Sequence, residues 1–133
     1  MENITKQTHY RNKLTNVWKE NGIDEDVEYA ILTNEIYKTW SGMTSSEYKD
    51  YKGIKKESLR DNMIDIEIVL TDLAEISTRE IANVEKPQGL KANKMVAKKG
   101  GTISKNAKEE LENNIGKKVI TKSNNKRNEK NLN

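Results

Sequence analysis

Lys52, Lys55, Lys56 and Arg60, interleaved with Tyr48 and Tyr51, are the side chains whose types and spacing come closest to a chemical device. Clustered cations can hold phosphates while a neighbouring aromatic ring stacks a base. Arg60 is the sharpest of them, because a guanidinium clamps phosphate or carboxylate at two points. The competing reading is internal: Tyr48 and Tyr51 as half-buried packing residues, and Arg60 paired with Asp61, Asp65 or another nearby carboxylate. A second basic set, Lys91, Lys94, Lys98, Lys99, Lys105 and Lys108, projects from a stretch that reads as helix, Gly100-Gly101 turn, helix. Such a unit could lay a helix against DNA. Its second half, however, runs Ser104-Lys105-Asn106 and then Glu109, Glu110 and Glu112, whose carboxylates repel phosphate. A plain helical hairpin with solvated lysines fits the same residues, and lysine without arginine reads base edges poorly.

Reaction chemistry finds little to work with. His9 is the sole histidine and has no local carboxylate and hydroxyl to form a triad. Asp24-Glu25-Asp26 lacks the alternating ligands and glycine of a calcium loop. Asp65, Glu67, Asp72 and Glu75 lack the lysine arrangement of a metal nuclease. No Lys-Ser/Thr follows Gly100-Gly101 as a phosphate loop requires. The chain has no cysteine, so thiol catalysis, disulfides and cysteine-bound zinc are excluded. The expectation is a non-enzymatic protein with no catalytic residue, metal or cofactor.

The elements that must position these side chains read as helices. A helix over Thr8 to Glu20 carries Leu14, Val17 and Trp18 on one stripe and stops at Asn21-Gly22. Asp24-Glu25-Asp26 opens a second helix, where the helix dipole favours acids, and Ser41-Gly42 ends it. Thr44 and Glu47 have capping-box spacing for a short helix that Gly53 terminates. Lys55-Lys56-Glu57 restarts another short helix through Leu59, and Asp61 and Asn62 offer caps for the next. From Asp65 to Val84 the apolar residues Ile66, Val69, Leu70, Leu73, Ile76, Ile81 and Val84 recur every three or four positions, which predicts the central packing helix. Pro87 and Gly89 break that run. Helices over Leu90 to Lys99 and Thr102 to Asn114 follow, then a short strand at Val119-Ile120-Thr121. The fold class expected is all-α: a single small domain of about six helices around one long central helix over residues 1–124, with a disordered basic tail over 125–133.

A length of 133 residues, with 33% apolar and 34% charged, permits one domain with a lean core and invites a homo-oligomer that would bury more surface. Leu, Ile and Val, two tryptophans and five tyrosines must build that core, since phenylalanine is absent. The net charge of +3 hides an asymmetry: residues 1–85 hold 11 Lys/Arg against 17 Asp/Glu, and residues 86–133 hold 13 against 4. The basic half attracts a phosphate backbone or an acidic partner, or else faces the acidic half of its own fold. No apolar run approaches a membrane span and the polar start Met1 to Lys6 is no signal peptide, so no membrane is expected and the cytoplasm is the expected location.

The block Tyr51-Lys-Gly-Ile-Lys-Lys-Glu-Ser-Leu-Arg-Asp-Asn-Met63 resembles the segment that follows the Bro-N domain in phage antirepressor proteins, a segment related to the carboxy-terminal part of DNA-damage-inducible protein D. Arg11-Asn12, Leu14-Thr15 and Trp18 are similar to its opening helix, and Ala30-Ile31-Leu32-Thr33 to its second. Gly42-Met43-Thr44 with Glu47-Tyr48-Lys49 leads into the block. Leu70, Leu73, Glu75, Thr78, Glu80 and Ile81 resemble the long helix, followed by Lys86-Pro87, Asn93-Lys94, Ala97-Lys98-Lys99-Gly100-Gly101 and Gly116-Lys117-Lys118-Val119-Ile120. The likeness spans roughly residues 10–124. It implies a phage or prophage regulatory module, antirepressor-like and associated with DNA or a DNA-bound regulator, acting in the host cytoplasm. Family members carry a Bro-N domain ahead of this segment, where this chain has a methionine. That difference keeps a second expectation open: a stand-alone inhibitor that binds a host protein complex, such as a defence nuclease, and blocks its nucleic-acid site.

Overall fold

The computed structural model describes residues 2–123, the first eight of these by backbone alone. Five α-helices and one 3-10 turn make up the regular structure: α1 (Glu2–Glu20), α2 (Asp26–Ser41), α3 (Ser45–Lys52), the turn Arg60–Asn62, α4 (Asp65–Glu85) and α5 (Gly89–Ile115). No strand occurs among the described residues, and Val119-Ile120-Thr121 is irregular rather than extended in a sheet. The tail expected to be disordered lies outside the described residues, and so does the side chain of His9.

Local chemistry sets most of the boundaries. Asn21-Gly22 closes α1, with Gly22 at φ 90 and the Ile23 N–H donating back to the Trp18 carbonyl at 3.0 Å. Asp26 and Glu28 sit in the first turn of α2 and Gly42 ends it in the left-handed region. Thr44 and Glu47 form the expected capping box: the Glu47 N–H donates to Thr44 Oγ1 at 3.2 Å, and the Thr44 N–H donates to Glu47 Oε1 at 2.9 Å. Those bonds, with Lys38 nearby, hold the Glu47 carboxyl below its ordinary pKa. Gly53 ends α3 at φ 73. The expected helix over Lys55 to Leu59 does not form. That stretch bends, Ile54 and Leu59 are buried, and one turn of 3-10 helix follows. Neither Asp61 nor Asn62 caps α4; Glu67 does so by accepting the Ile64 N–H at 2.9 Å.

The main difference from expectation lies in the last third. Residues 90–99 and 102–114 belong to one continuous helix, and Gly100-Gly101 is its midpoint rather than a turn. Both glycines are buried where α5 crosses its neighbours. A Cβ on Gly100 would stand 2.6 Å from the Thr78 backbone nitrogen of α4, and one on Gly101 would stand 2.7 Å from Thr39 Cβ of α2. The pair therefore serves close helix packing, which tertiary contact imposes over the local tendency of glycine to end a helix. Merging these two segments, together with the loss of the helix expected over Lys55 to Leu59, leaves five helices where about six were expected.

Helix α5 packs chiefly against α4 and α2, and α1 packs against α4. The core gathers Leu14, Trp18, Leu32, Ile36, Tyr37, Trp40, Tyr48, Met63, Leu70, Ala74 and Ala97, with Val119 returning from beyond α5 to seal it. Helix α4 is oriented otherwise than its apolar periodicity predicts. Glu67, Leu70, Thr71, Ala74, Glu75, Thr78 and Ala82 face inward, whereas Val69 is 58% and Val84 83% exposed and Leu73 and Ile76 are only partly covered. Small and hydroxylated residues on the inner face allow α5 to come close. Thr71 and Thr78 satisfy their hydroxyls on carbonyls one turn back, and Ser104 of α5 donates to the Leu70 carbonyl at 2.6 Å. Asn93 ties the end of α1 to the link between α4 and α5 by donating to the carbonyls of Asn21, Pro87 and Gly89.

Candidate functional site

Three groupings of charged side chains stand out, two internal and one external. The first joins α3 to α4. Tyr48 and Lys52, one turn apart on α3, both reach Glu67: Lys52 Nζ lies 2.5 Å from Glu67 Oε1, and the Tyr48 hydroxyl donates to Glu67 Oε2. Lys52 also donates to the Ser123 carbonyl, so the chain after α5 lies over this pair. Lys52 and Glu67 are fully buried. Burial, then the Glu67 charge and its hydrogen bond, drive the Tyr48 hydroxyl far above the ordinary tyrosine pKa. Lys52 was expected on a basic contact surface, and here it is spent as an internal counterion to Glu67.

The second grouping centres on Glu75 in α4. Arg60 Nη2 lies 2.5 Å from Glu75 Oε1 and Arg60 Nη1 2.6 Å from Asp72 Oδ1, while Arg11 Nη1 approaches Glu75 Oε2 at 3.2 Å. Arg11 also donates to the Thr33 hydroxyl and stacks over the Trp18 ring, 5.4 Å from its centroid. Burial alone would lower the Arg60 pKa; the charges of Glu75 and Asp72 and the neighbouring Tyr37 outweigh it and raise the value. Tyr37 is pushed up to about 12, foremost by burial and then by Glu75, against the lowering influence of Arg60 and Arg11. An open cleft of about 320 Å³ lies here, lined by Arg11, Thr33, Tyr37, Lys49, Arg60 and Glu75 among others. Arg60 is thus paired internally, with Asp72 and Glu75 rather than the Asp61 or Asp65 considered from sequence. The missed signal was the Asp72/Glu75 spacing, three apart on one helix, which lets two carboxylates share a guanidinium.

The third grouping is a surface. Lys91, Lys94, Lys98 and Lys105 are exposed and share the outward face of α5, since spacings of three, four and seven residues return to one side of a helix. At 1.5 Å per residue the row is about 20 Å long. Among the described residues Lys94 alone of the four pairs with a carboxylate, Glu35 of α2 at 3.9 Å; Lys91, Lys98 and Lys105 have no ion-pair partner there. Met95, 61% exposed, sits within the row, and a groove of about 220 Å³ is formed by Glu35, Lys91, Lys94, Met95 and Lys98. Lys99 leans the other way onto Glu85 at 2.9 Å, and Lys108 is half-buried. Lys55 and Lys56 are exposed in the loop after α3, without salt bridges among the described residues. Lys122 lies over the Tyr51 ring at 5.8 Å.

Of the ten residues singled out from sequence, Lys52 and Arg60 are therefore committed to internal contacts and Lys99 to a surface pair. Lys55, Lys56, Lys91, Lys94, Lys98 and Lys105 present charge to solvent. Because α5 is continuous, its lysines do not belong to a helix-turn-helix. Among the described residues no group of three or more His, Asp or Glu is placed to hold a metal, and no helix is long and apolar enough to cross a membrane. Comparison with protein-family models, with curated proteins and with solved structures finds no match to this chain.

Proposed function

We propose that this protein is a non-enzymatic regulatory module, antirepressor-like and of phage or prophage type, that associates with DNA through the lysine face of α5. The observation that carries the reading is the row Lys91, Lys94, Lys98 and Lys105, displayed on one helix face, with Glu35 beside its first half and Glu109 continuing it beyond Lys105. Such a row suits the phosphate backbone: its charges attract the polyanion, and each phosphate neutralised releases counterions. A straight helix of lysines offers little for reading base edges, so the expected contact is with phosphates and the expected sequence preference slight. The antirepressor-like and phage part of the proposal rests on the resemblance of residues 10–124 to the segment after Bro-N alone.

A second reading rests on Met95 and the groove it shares with Glu35, Lys91, Lys94 and Lys98. A partly apolar, mixed-charge groove suits a protein side chain better than a phosphate, and it favours an inhibitor that docks on a host complex and covers its nucleic-acid site. Fluorescence anisotropy with a labelled duplex at two salt concentrations separates the two. DNA association requires affinity that falls steeply with salt and a slope flattened by roughly two units in Lys98→Glu/Lys105→Glu. Affinity no tighter than about 10⁻⁴ M at physiological salt, at the weak end of nonspecific binding, and unchanged in that variant rejects the DNA reading.

A further inference from the structure

The apolar stripe that α4 turns outward has a coiled-coil period. Val69, Leu73 and Ile76 alternate by four and three residues; Ile66, one step earlier, packs partly against the main core, and Glu80 and Asn83 continue the same positions in polar form, with Val84 beside them. Val69 and Val84 are largely exposed, and neither Leu73 nor Ile76 belongs to a core cluster. Inner and outer faces of α4 cannot exchange these roles by rotation, because Glu67 and Glu75 are held on the inner side by Lys52, Arg60 and Arg11. A seam of this kind on a helix surface is built to receive another helix.

Charge along the flank of the seam says which helix. Asp65, Asp72, Arg79 and Lys86 follow one another at intervals of seven, two acids and then two bases. Against a second α4 running in the same direction, this flank would face the uncharged Ser77 and Val84; against one running in the opposite direction it faces itself, Asp65 opposite Lys86 and Asp72 opposite Arg79. Asp72 is already engaged by Arg60, and Arg79 reaches Glu80 at 3.5 Å. Asp65 and Lys86, at the two ends, are exposed and free of ion pairs among the described residues. Antiparallel packing also sets opposite helix dipoles side by side.

We propose that the outer face of α4 is a homodimer surface, on which a second copy of this chain lays its own α4 antiparallel about a two-fold axis between Leu73 and Ile76. Each Leu73 then meets the other copy's Ile76, each Val69 the other copy's Glu80–Val84 turn, and each Asp65 the other copy's Lys86. The contact is isologous and self-complementary, so it closes at two copies. Its polar end, Glu80 and Asn83, keeps the apolar part short, and the dimer dissociates on dilution. The lysine face of α5 points away from α4, and the two copies together present two such rows.

Sedimentation equilibrium of the full chain over micromolar to millimolar concentration tests this. A reversible monomer–dimer equilibrium is expected, abolished by Ile76→Lys while helical circular dichroism persists. Charge reversal gives a variant that does not depend on the seam: Asp65→Lys weakens dimerisation by roughly three- to tenfold per the modest value of exposed pairs, and adding Lys86→Asp restores it. A chain monomeric at every concentration overturns the proposal. So does a dimer whose dissociation constant ignores both Ile76→Lys and the Asp65/Lys86 reversal, since it would form through some other face.

Discussion

Glu67 is the most constrained side chain of the fold. It accepts from Lys52, Tyr48 and the Ile64 N–H at once, with no exposure to water. A buried pair of this kind adds little net stability, because desolvation offsets the attraction, but removing one partner strands the other charge. Glu67→Ala should therefore cost about 3–5 kcal/mol in chemical denaturation, and Lys52→Met/Glu67→Leu should recover most of that loss. Recovery failing in the double variant would mean that the hydrogen bonds to Tyr48 and the α4 cap outweigh the charge. Tyr37 sets a second expectation, in alkali. Its pKa in the folded protein is raised to about 12 by burial first and Glu75 next, above the value of about 10 for an exposed tyrosine. The unfolded chain then loses this proton first, so Tyr37 favours the fold below about pH 10 and that stability drains away as the pH rises toward about 12. Tyr48, shifted in the same direction, continues the decline. Denaturation midpoints measured across this range should fall for the parent and fall less for Tyr37→Phe.

Among the elements, α5 carries the sharpest test. Replacing a mid-helix glycine by alanine ordinarily gains up to about 1 kcal/mol of helix propensity. At Gly100 the added carbon would meet the Thr78 nitrogen at 2.6 Å and Cα at 2.7 Å. These are backbone atoms that no rotamer change can move, so α4 and α5 would have to separate. Gly100→Ala is expected to lower stability by about 3 kcal/mol or more, read from the melting temperature. An unchanged or raised melting temperature would show that the crossing is looser than these distances. Thr44, Glu47, Gly42 and Gly53 were readable in advance because a cap is decided by atoms within a few residues of one another. The role of Gly100-Gly101 was not, because what makes glycine necessary there is Thr78 on α4 and Thr39 on α2.

For the molecule as a whole, the question is which apolar residues hold it together. Leu14 is fully buried in the main cluster and Leu73 is half-covered outside both clusters. Leu14→Ala should cost about 2–5 kcal/mol; Leu73→Ala, measured dilute, should cost only about 1 kcal/mol, in line with the smaller area it loses. Equal losses would place Leu73 in the core after all. The lean composition is met by making the interior partly polar. Lys52, Glu67, Glu75, Asn93, Thr71, Thr78 and Ser104 are buried beside Trp18 and Trp40. Most of these polar groups find partners, while the two indole nitrogens and the Asn93 carbonyl oxygen have none among the described residues. Large apolar residues of α4, meanwhile, remain outside.

The helices of the described residues follow from the sequence through short-range causes: the three-and-four spacing of apolar residues, acids at helix starts, glycines in left-handed stops, and a proline after α4. Those causes act within a turn or two and are present in the unfolded chain. Which face of α4 turns inward, where Arg60 spends its charge, and whether Gly100-Gly101 bends or packs depend on side chains tens of residues away. Arg60 finds Asp72 and Glu75 rather than its sequence neighbours, and Lys52 finds Glu67 and Ser123, only once helices have docked. Periodicity records how many apolar residues lie on a stripe but not what stands opposite them. In α4 the inner position went to the residues small or polar enough to admit α5 and to bind the buried cations, and the apolar stripe was left facing outward.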